Sequence, residues 1–304
     1  MIRRLFVSVL CFLSIQTFAY DFKSGDLCYN ITSAYTVEVA RGSYSALTSV
    51  TIPDKVTFEG ATYSVTGIGT SAFFSCEELT SVTLPNTLEV ICPQAFEECN
   101  GLTSIVIPGS VTTIDNAFSN CKNLESVTIM GDKISNVGVF GFGCPKLKFN
   151  SFGNADYLGN ADNPYLVLVM ATATDIKECS INERTRSIAT MAFDKCRELT
   201  SIAIPNTVTC IGDCAFQGSG LVSVDIPNSV TSLGSGAFNA CYDLKEVWIP
   251  KSVERIGEGA FRQCPNVVIK CESERPGLLW NKDWRNGGLD MINIGGKIVW
   301  NAVK

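Results

Sequence analysis

Apolar positions along this chain return with a period of 22 or 23 residues. The stretch 65–86 reads Val-Thr-Gly-Ile-Gly-Thr-Ser-Ala-Phe-Phe-Ser-Cys-Glu-Glu-Leu-Thr-Ser-Val-Thr-Leu-Pro-Asn, and almost every apolar position in it recurs one period later. The pair Ala-Phe marks the phase at Ala72-Phe73, Ala95-Phe96, Ala117-Phe118, Ala192-Phe193, Ala215-Phe216, Ala237-Phe238 and Ala260-Phe261, with Val139-Phe140 as a degenerate copy. Successive Phe lie 23, 22, 22, 53, 23, 22 and 23 residues apart, so one interval is far longer than the rest. A fixed period of this length is the signature of a stacked array, in which each unit buries its apolar side against its neighbours.

Within one period the pattern predicts three pieces. Leu-x-x-Val-x-Ile-Pro, as at Leu79, Val82, Leu84 and at Leu244, Val247, Ile249, alternates as the inward side chains of a strand do. Pro85, Pro108, Pro205, Pro227 and Pro250 stop that strand by fixing φ and removing a donor. A turning segment such as residues 229–234 follows, with Val and Leu or Ile pointing inward. Ala-Phe-x-x-Cys-x-x-Leu then spaces its apolar groups as a short helix or 3₁₀ turn would. The expected fold is an α/β repeat solenoid of about 8–9 coils with a curved parallel β-sheet and short helical or 3₁₀ turns.

These copies of Ile-Gly-x-x-Ala-Phe-x-x-Cys-x-x-Leu-x-x-Val-x-Ile-Pro-x-x-Val, over residues 47–270, resemble the BspA-type leucine-rich repeats of exported bacterial proteins. The resemblance implies a leucine-rich-repeat solenoid outside the cell or on its surface, in a family associated with adhesion. It names no ligand and carries over no functional motif.

The flanks divide the chain further. Residues 1–19 combine Arg3 and Arg4, an apolar run and small residues near Ala19, which reads as a secretory signal peptide. Residues 20–46 alternate apolar and polar and predict an N-terminal β cap. The first repeat block, 47–150, is lengthened near its start by a hairpin-like turn around Gly60, and the second block covers 189–270. Between them, the 53-residue interval holds about 31 residues beyond one 22-residue coil, and residues 151–188, with the apolar run 165–170, predict a β-rich insertion that is either a structural interruption or a projecting recognition element. Residues 271–304, with Trp280, Trp284 and Trp300, lose the phase and are expected to close the open end.

Charge and composition narrow the function. Removing residues 1–19 takes away two of 24 basic groups and none of 30 acidic ones, leaving a formal charge of −8, which disfavours nucleic acid as a partner. No stretch of the mature chain reaches the roughly 20 apolar residues of a membrane span. There is no His at all, so the usual proton shuttle and the commonest metal ligand are missing. Of the 14 Cys, Cys76, Cys99, Cys121, Cys196, Cys241 and Cys264 each follow the repeat Phe by three residues and Cys144 follows Phe140 by four, which predicts a ladder of buried thiols with Ser219 in the slot that lacks one. Thirteen Cys remain in the mature chain, so one at least is unpaired in a monomer, and a disulfide involving Cys28, Cys179 or Cys271 stays open. No cofactor or metal site is expected, and the recurring pairs Glu77-Glu78 and Glu97-Glu98 read as solvated loop residues.

What remains is the outward side of the strand. Its positions are mostly small, such as Ser81, Thr83, Ser104 and Ser126, but Asp225, Glu246 and Trp248 form a candidate binding patch, unless the insertion or the cap covers the indole. The expectation is an exported, non-catalytic binding protein that meets a protein or glycan ligand on host or neighbouring cells; the alternative is a structural component of the envelope or surface.

Overall fold

The structure is a computed structural model and describes residues 19–277, 279–285 and 297–304. The expected signal peptide, apart from Ala19, lies outside the described residues. The chain winds into a parallel β-solenoid of about nine turns.

Most coils contribute strands to two separate ladders, though residues 199–204 form only an isolated bridge, Ser180 to Ala203. The longer ladder holds the Leu-x-x-Val-x-Ile segments, such as Ser104–Ile107 beside Ser126–Ile129, and Ser223–Asp225, Glu246–Ile249, Val268–Cys271 and Lys297–Val299 in order. Its pairing is parallel and in register at one period, Ser104 on Ser126 and Val224 on Val247, so equivalent side chains stack from coil to coil. The segment after the Pro, expected only to turn the chain, forms a second ladder of two-residue strands. Val90–Ile91, Thr113–Ile114 and Asn136–Val137 make its first part, and Ser187–Ile188, Cys210–Ile211, Ser232–Leu233, Arg255–Ile256 and Leu279–Trp280 its second.

The expected helical or 3₁₀ turns are absent: no described residue is helical. The reason lies in how the Ala-Phe segment spends its N–H groups. Ala72, Phe74 and Cys76 donate back to Gly69, Ser71 and Phe73, as in a tight turn, but the intervening Ser71, Phe73 and Ser75 donate outward to Pro93, Ala95 and Glu97 of the next coil. A helix would keep every one of these bonds inside the segment. The outward bonds are reached because Ser71 and Ser75 are left-handed, with φ of 55° each, and the position two after the Phe repeats this in Glu98, Asn120, Lys195, Gly218, Ala240 and Gln263. Apolar spacing alone does not distinguish this ribbon from a turn of helix.

The repeat Phe side chains form two columns of stacked rings. Phe73, Phe96 and Phe118 follow one another at 5.2 and 5.4 Å, and Phe193, Phe216, Phe238 and Phe261 at 5.1, 5.2 and 5.4 Å, with planes within 4°. Aromatic residues close the outer ends. Tyr44 sits 5.0 Å from Phe73, its hydroxyl accepting from the Cys28 N–H, and Trp284 meets Phe261 edge-on at 5.9 Å. On the N-terminal side Phe22–Ser24, Leu27–Ile31 and Thr36–Val39 run antiparallel, and Thr36–Val39 joins Ala61–Ile68 in parallel to start the short ladder.

The long interval is a partition between two cores. Asn150–Phe152, Ala155–Leu158 and Val167–Ala171 form an antiparallel sheet whose last strand runs parallel to Ser187–Ile188. Val167 and Val169 belong to the apolar core of the first block, while Leu168 between them belongs to that of the second. A strand buried on both faces reads as an unbroken apolar run, which explains the sequence from Tyr165 to Met170.

Candidate functional site

The patch expected on the longer ladder is occupied from within the chain. Asp225, Trp248, Lys270 and Val299 stand side by side on consecutive strands. Trp248, expected to be exposed unless covered, is 6% exposed. The last residues fold back over it: the Ala302 N–H donates to the Cys271 carbonyl, and the Lys304 ammonium lies 5.7 Å from the indole centroid and 2.9 Å from an Asp225 carboxylate oxygen. Glu246 pairs with Lys270 at 2.7 Å. A cation over an indole is a favourable placement, and here the tail supplies it. The structure therefore brings Asp225, Glu246 and Trp248 together, with Trp248 in the covering role of the two that the sequence left open.

The thiols stand where the Phe phase puts them. The thirteen Cys from Cys28 to Cys271 are free, and the ladder members are buried. Several of their S–H groups donate to the Phe carbonyl of the preceding coil: Cys99 to Phe73 at 3.2 Å, Cys241 to Phe216 at 3.1 Å and Cys264 to Phe238 at 3.0 Å. In the coil that lacks a Cys, the Ser219 hydroxyl lies 3.4 Å from the Cys241 sulfur. Burial pushes the Cys76 thiol up to about 11 and those of Cys99, Cys179 and Cys271 up to about 12. These are the opposite of the lowered values that make a thiol a nucleophile. Among the described residues no three His, Cys, Asp or Glu side chains converge as metal ligands would.

A broad concavity lies on the short ladder. A trough of about 640 Å³ is lined by Thr113 and Asn136 of the first block and by Asp213, Ser232, Arg255 and Asn281 of the second. Residues this far apart along the ladder share one cavity because the ladder bends inward. The bend brings Asp213 close enough to Asp115 to act on its carboxyl, whose pKa is raised first by burial and then by this like charge. Ser187 and Cys210 occupy neighbouring positions on the same face and are 0% and 5% exposed. The Ser187 hydroxyl has no hydrogen-bond partner.

Sequence reasoning missed this face because it treated the post-Pro segment as a turn. The signal was present: six of the short strands place a polar or small residue (Thr113, Asn136, Ser187, Cys210, Ser232, Arg255) immediately before a buried Ile, Val or Leu. Two residues are too few for a periodicity to register within one coil. Only the column across coils shows it.

Comparison with known proteins agrees with this architecture. The family described as the BspA type leucine rich repeat region matches residues 42–160 and 171–273, in six copies. Among solved structures, the chain is similar to a leucine-rich repeat protein from Bacteroides ovatus, at 23% identity and a TM-score of 0.41, with 92% of this chain and 91% of that one covered. It is also similar to a leucine rich cell surface protein from Faecalibacterium prausnitzii, at 21% identity and a TM-score of 0.33, covering 88% and 98% of the two chains. A shorter leucine-rich repeat protein from Bacteroides capillosus is 28% identical with a TM-score of 0.30, over 36% of this chain and 98% of that one. No curated protein matches the chain. With the repeat model spanning more than half of its length, the chain belongs to the BspA-type leucine-rich repeat family.

Proposed function

We propose that this protein is an exported binding protein of the bacterial surface that recognises a protein or glycan partner along the inner trough, without a catalytic step. The observation that carries this reading is the trough itself. It spans coils of both blocks and is lined by hydrogen-bonding side chains with one cation, Arg255, and one carboxylate, Asp213, on a rigid parallel ladder. Rigid elements present binding groups at lower entropic cost than loops do, so a ladder of this kind suits recognition of an extended surface.

Family membership supports a repeat protein that binds rather than catalyses, and BspA-type repeats are associated with bacterial surfaces. Among the described residues no helix is long and apolar enough to cross a membrane. Export rests on the leader-like residues 1–19, and adhesion rests on the family resemblance.

The experiment is a binding screen of the mature protein against extracellular-matrix proteins, bacterial surface proteins and their glycans. It is repeated with Arg255→Glu and Asp213→Ala. A ligand that both substitutions weaken by about tenfold or more supports recognition in the trough. Ligands whose binding ignores both substitutions place recognition elsewhere, and no binding to any component counts against adhesion.

A further inference from the structure

One coil of the second block breaks the pattern of the Phe turn. Two residues after the stacked Phe its neighbours carry Lys195, Ala240 and Gln263, whereas this coil has Gly218, followed by Ser219 and Gly220. A Cβ placed on Gly218 would meet the Lys195 backbone and side chain at ordinary van der Waals distance, 3.8 Å, so what the glycine omits is the side chain that Lys195 and Gln263 extend from this position. A Cβ on Gly220 would collide with the Arg197 carbonyl oxygen, so the floor there is closed backbone on backbone. The result is a notch of about 470 Å³ between Lys195 and Arg197 of the preceding coil and Tyr242 and Gln263 of those that follow. It lies on the Phe-turn edge and shares no lining residue with the trough.

The notch is polar but has one aromatic face. The Tyr242 ring is 61% exposed, and its hydroxyl is 3.5 Å from the Gln263 carboxamide oxygen. Beside it runs a column of fixed planar groups: Gln217 donates to Asp194 at 3.1 Å, and Asn239 donates to Gln217 at 3.0 Å. Each amide nitrogen has a second N–H beyond the one used in the column. The Asn239 oxygen is buried and has no donor within the molecule. An unmet acceptor of this kind calls for an explanation. The charges offset one another, since Lys195 is held 3.4 Å from Asp194 and Asp243 also lines the cavity with Arg197.

These groups match the surface of a sugar. A pyranose ring offers an apolar C–H face that an exposed tyrosine ring can cover, and an edge of hydroxyls that amides and carboxylates can bind in pairs. A pocket of a few hundred Å³ is the size of small-ligand sites. We propose that this notch binds a neutral saccharide of one or two rings, its C–H face on Tyr242 and its hydroxyls on Gln217, Asn239 and Asp243. The site is separate from the trough and does not depend on the function proposed for it.

The test is calorimetric titration of the full chain with methyl glycosides of glucose, galactose, mannose and N-acetylglucosamine. At least one is expected to bind with a Kd of about 1 mM or tighter, and Tyr242→Ala should weaken it about tenfold or more. Gly218→Gln should abolish binding by filling the notch. The coil accepts that side chain because φ is 64° at Gly218, and Lys195, Ala240 and Gln263 hold the same position at 61°, 57° and 58°. Unchanged melting temperatures of both variants would show that loss of binding is not loss of fold. The proposal is overturned if no glycoside saturates, or if binding survives Gly218→Gln. Binding that Arg255→Glu removes while Gly218→Gln does not would assign the sugar to the trough and overturn it equally.

Discussion

The Cys121 thiol donates a 3.0 Å hydrogen bond to the carbonyl oxygen of Phe96, the same oxygen that accepts the Cys99 N–H from within its own coil. Each ladder thiol that repeats this bond joins its coil to the one before, as Cys144 does to Phe118 at 3.1 Å. The Cys is therefore a packing residue that also makes a directional bond; Ser219, which takes its slot in one coil, lies instead 3.4 Å from the Cys241 sulfur of the next.

Replacing Cys121 with Ala removes the donor and leaves a small void at a site that is 0% exposed. The expected loss is roughly 1–2 kcal/mol, with Cys121→Ser losing less because the hydroxyl keeps the bond. Urea denaturation reads the difference. A Cys121→Ala protein with an unshifted midpoint would show the bond to be incidental.

Phe216 lies between Phe193 at 5.1 Å and Phe238 at 5.2 Å, almost parallel to both. Phe216→Ala is expected to cost about 3–5 kcal/mol, the range for a large buried aromatic residue. Phe140 ends its column, 5.7 Å from Phe118 and tilted by 24°, so Phe140→Ala should cost less. Equal losses at the two sites would argue against stacking as the source of the difference.

The repeat phase, the inward rows, the thiol ladder and the aromatic end closures could be read from residue type and spacing, because a 22- or 23-residue period repeats the same evidence many times. The Phe turn was misread as helical because its backbone bonds alternate between neighbours, and Phe73 donating to Ala95 leaves no trace in apolar spacing. The sequence left open whether the insertion or the cap covers Trp248, and Lys304 of the cap lies over it, 56 positions away and outside the repeat. The trough depends on curvature, and the relation of Asp115 to Asp213 across it is invisible to any pattern within one coil.

Alkaline pH should destabilise the fold through its thiols. Burial raises Cys99 and Cys271 from 9.0 to about 12, so the folded state holds these protons where the unfolded chain releases them. The contribution is fully present below pH 9.0 and is lost as pH rises towards about 12. The native protein should accordingly resist a thiol-specific disulfide reagent near neutral pH and react fully once denatured. Rapid stoichiometric labelling of the ladder in native buffer would contradict this.

Asp115 has a consequence of the same sign at lower pH. Burial, and then the like charge of Asp213, raise its folded carboxyl above the ordinary value of 3.8, so its favourable contribution is complete below 3.8 and disappears as pH rises through the folded value. Asp115→Asn removes a partly buried charge that Asp213 repels and should raise the melting temperature at neutral pH, with the gain vanishing in acid. A variant that melts lower at neutral pH would refute the repulsion.

The strand Val167–Ala171 sends Val167 and Val169 to one core and Leu168 to the other, at the gap between the two Phe columns. Cooperativity in an array passes through the interfaces between neighbouring units. This strand is thus a bulkhead. Damage that floods one compartment, such as a core truncation, meets a wall finished on both sides, so the other compartment is expected to keep its own core while the trough that both blocks line is lost.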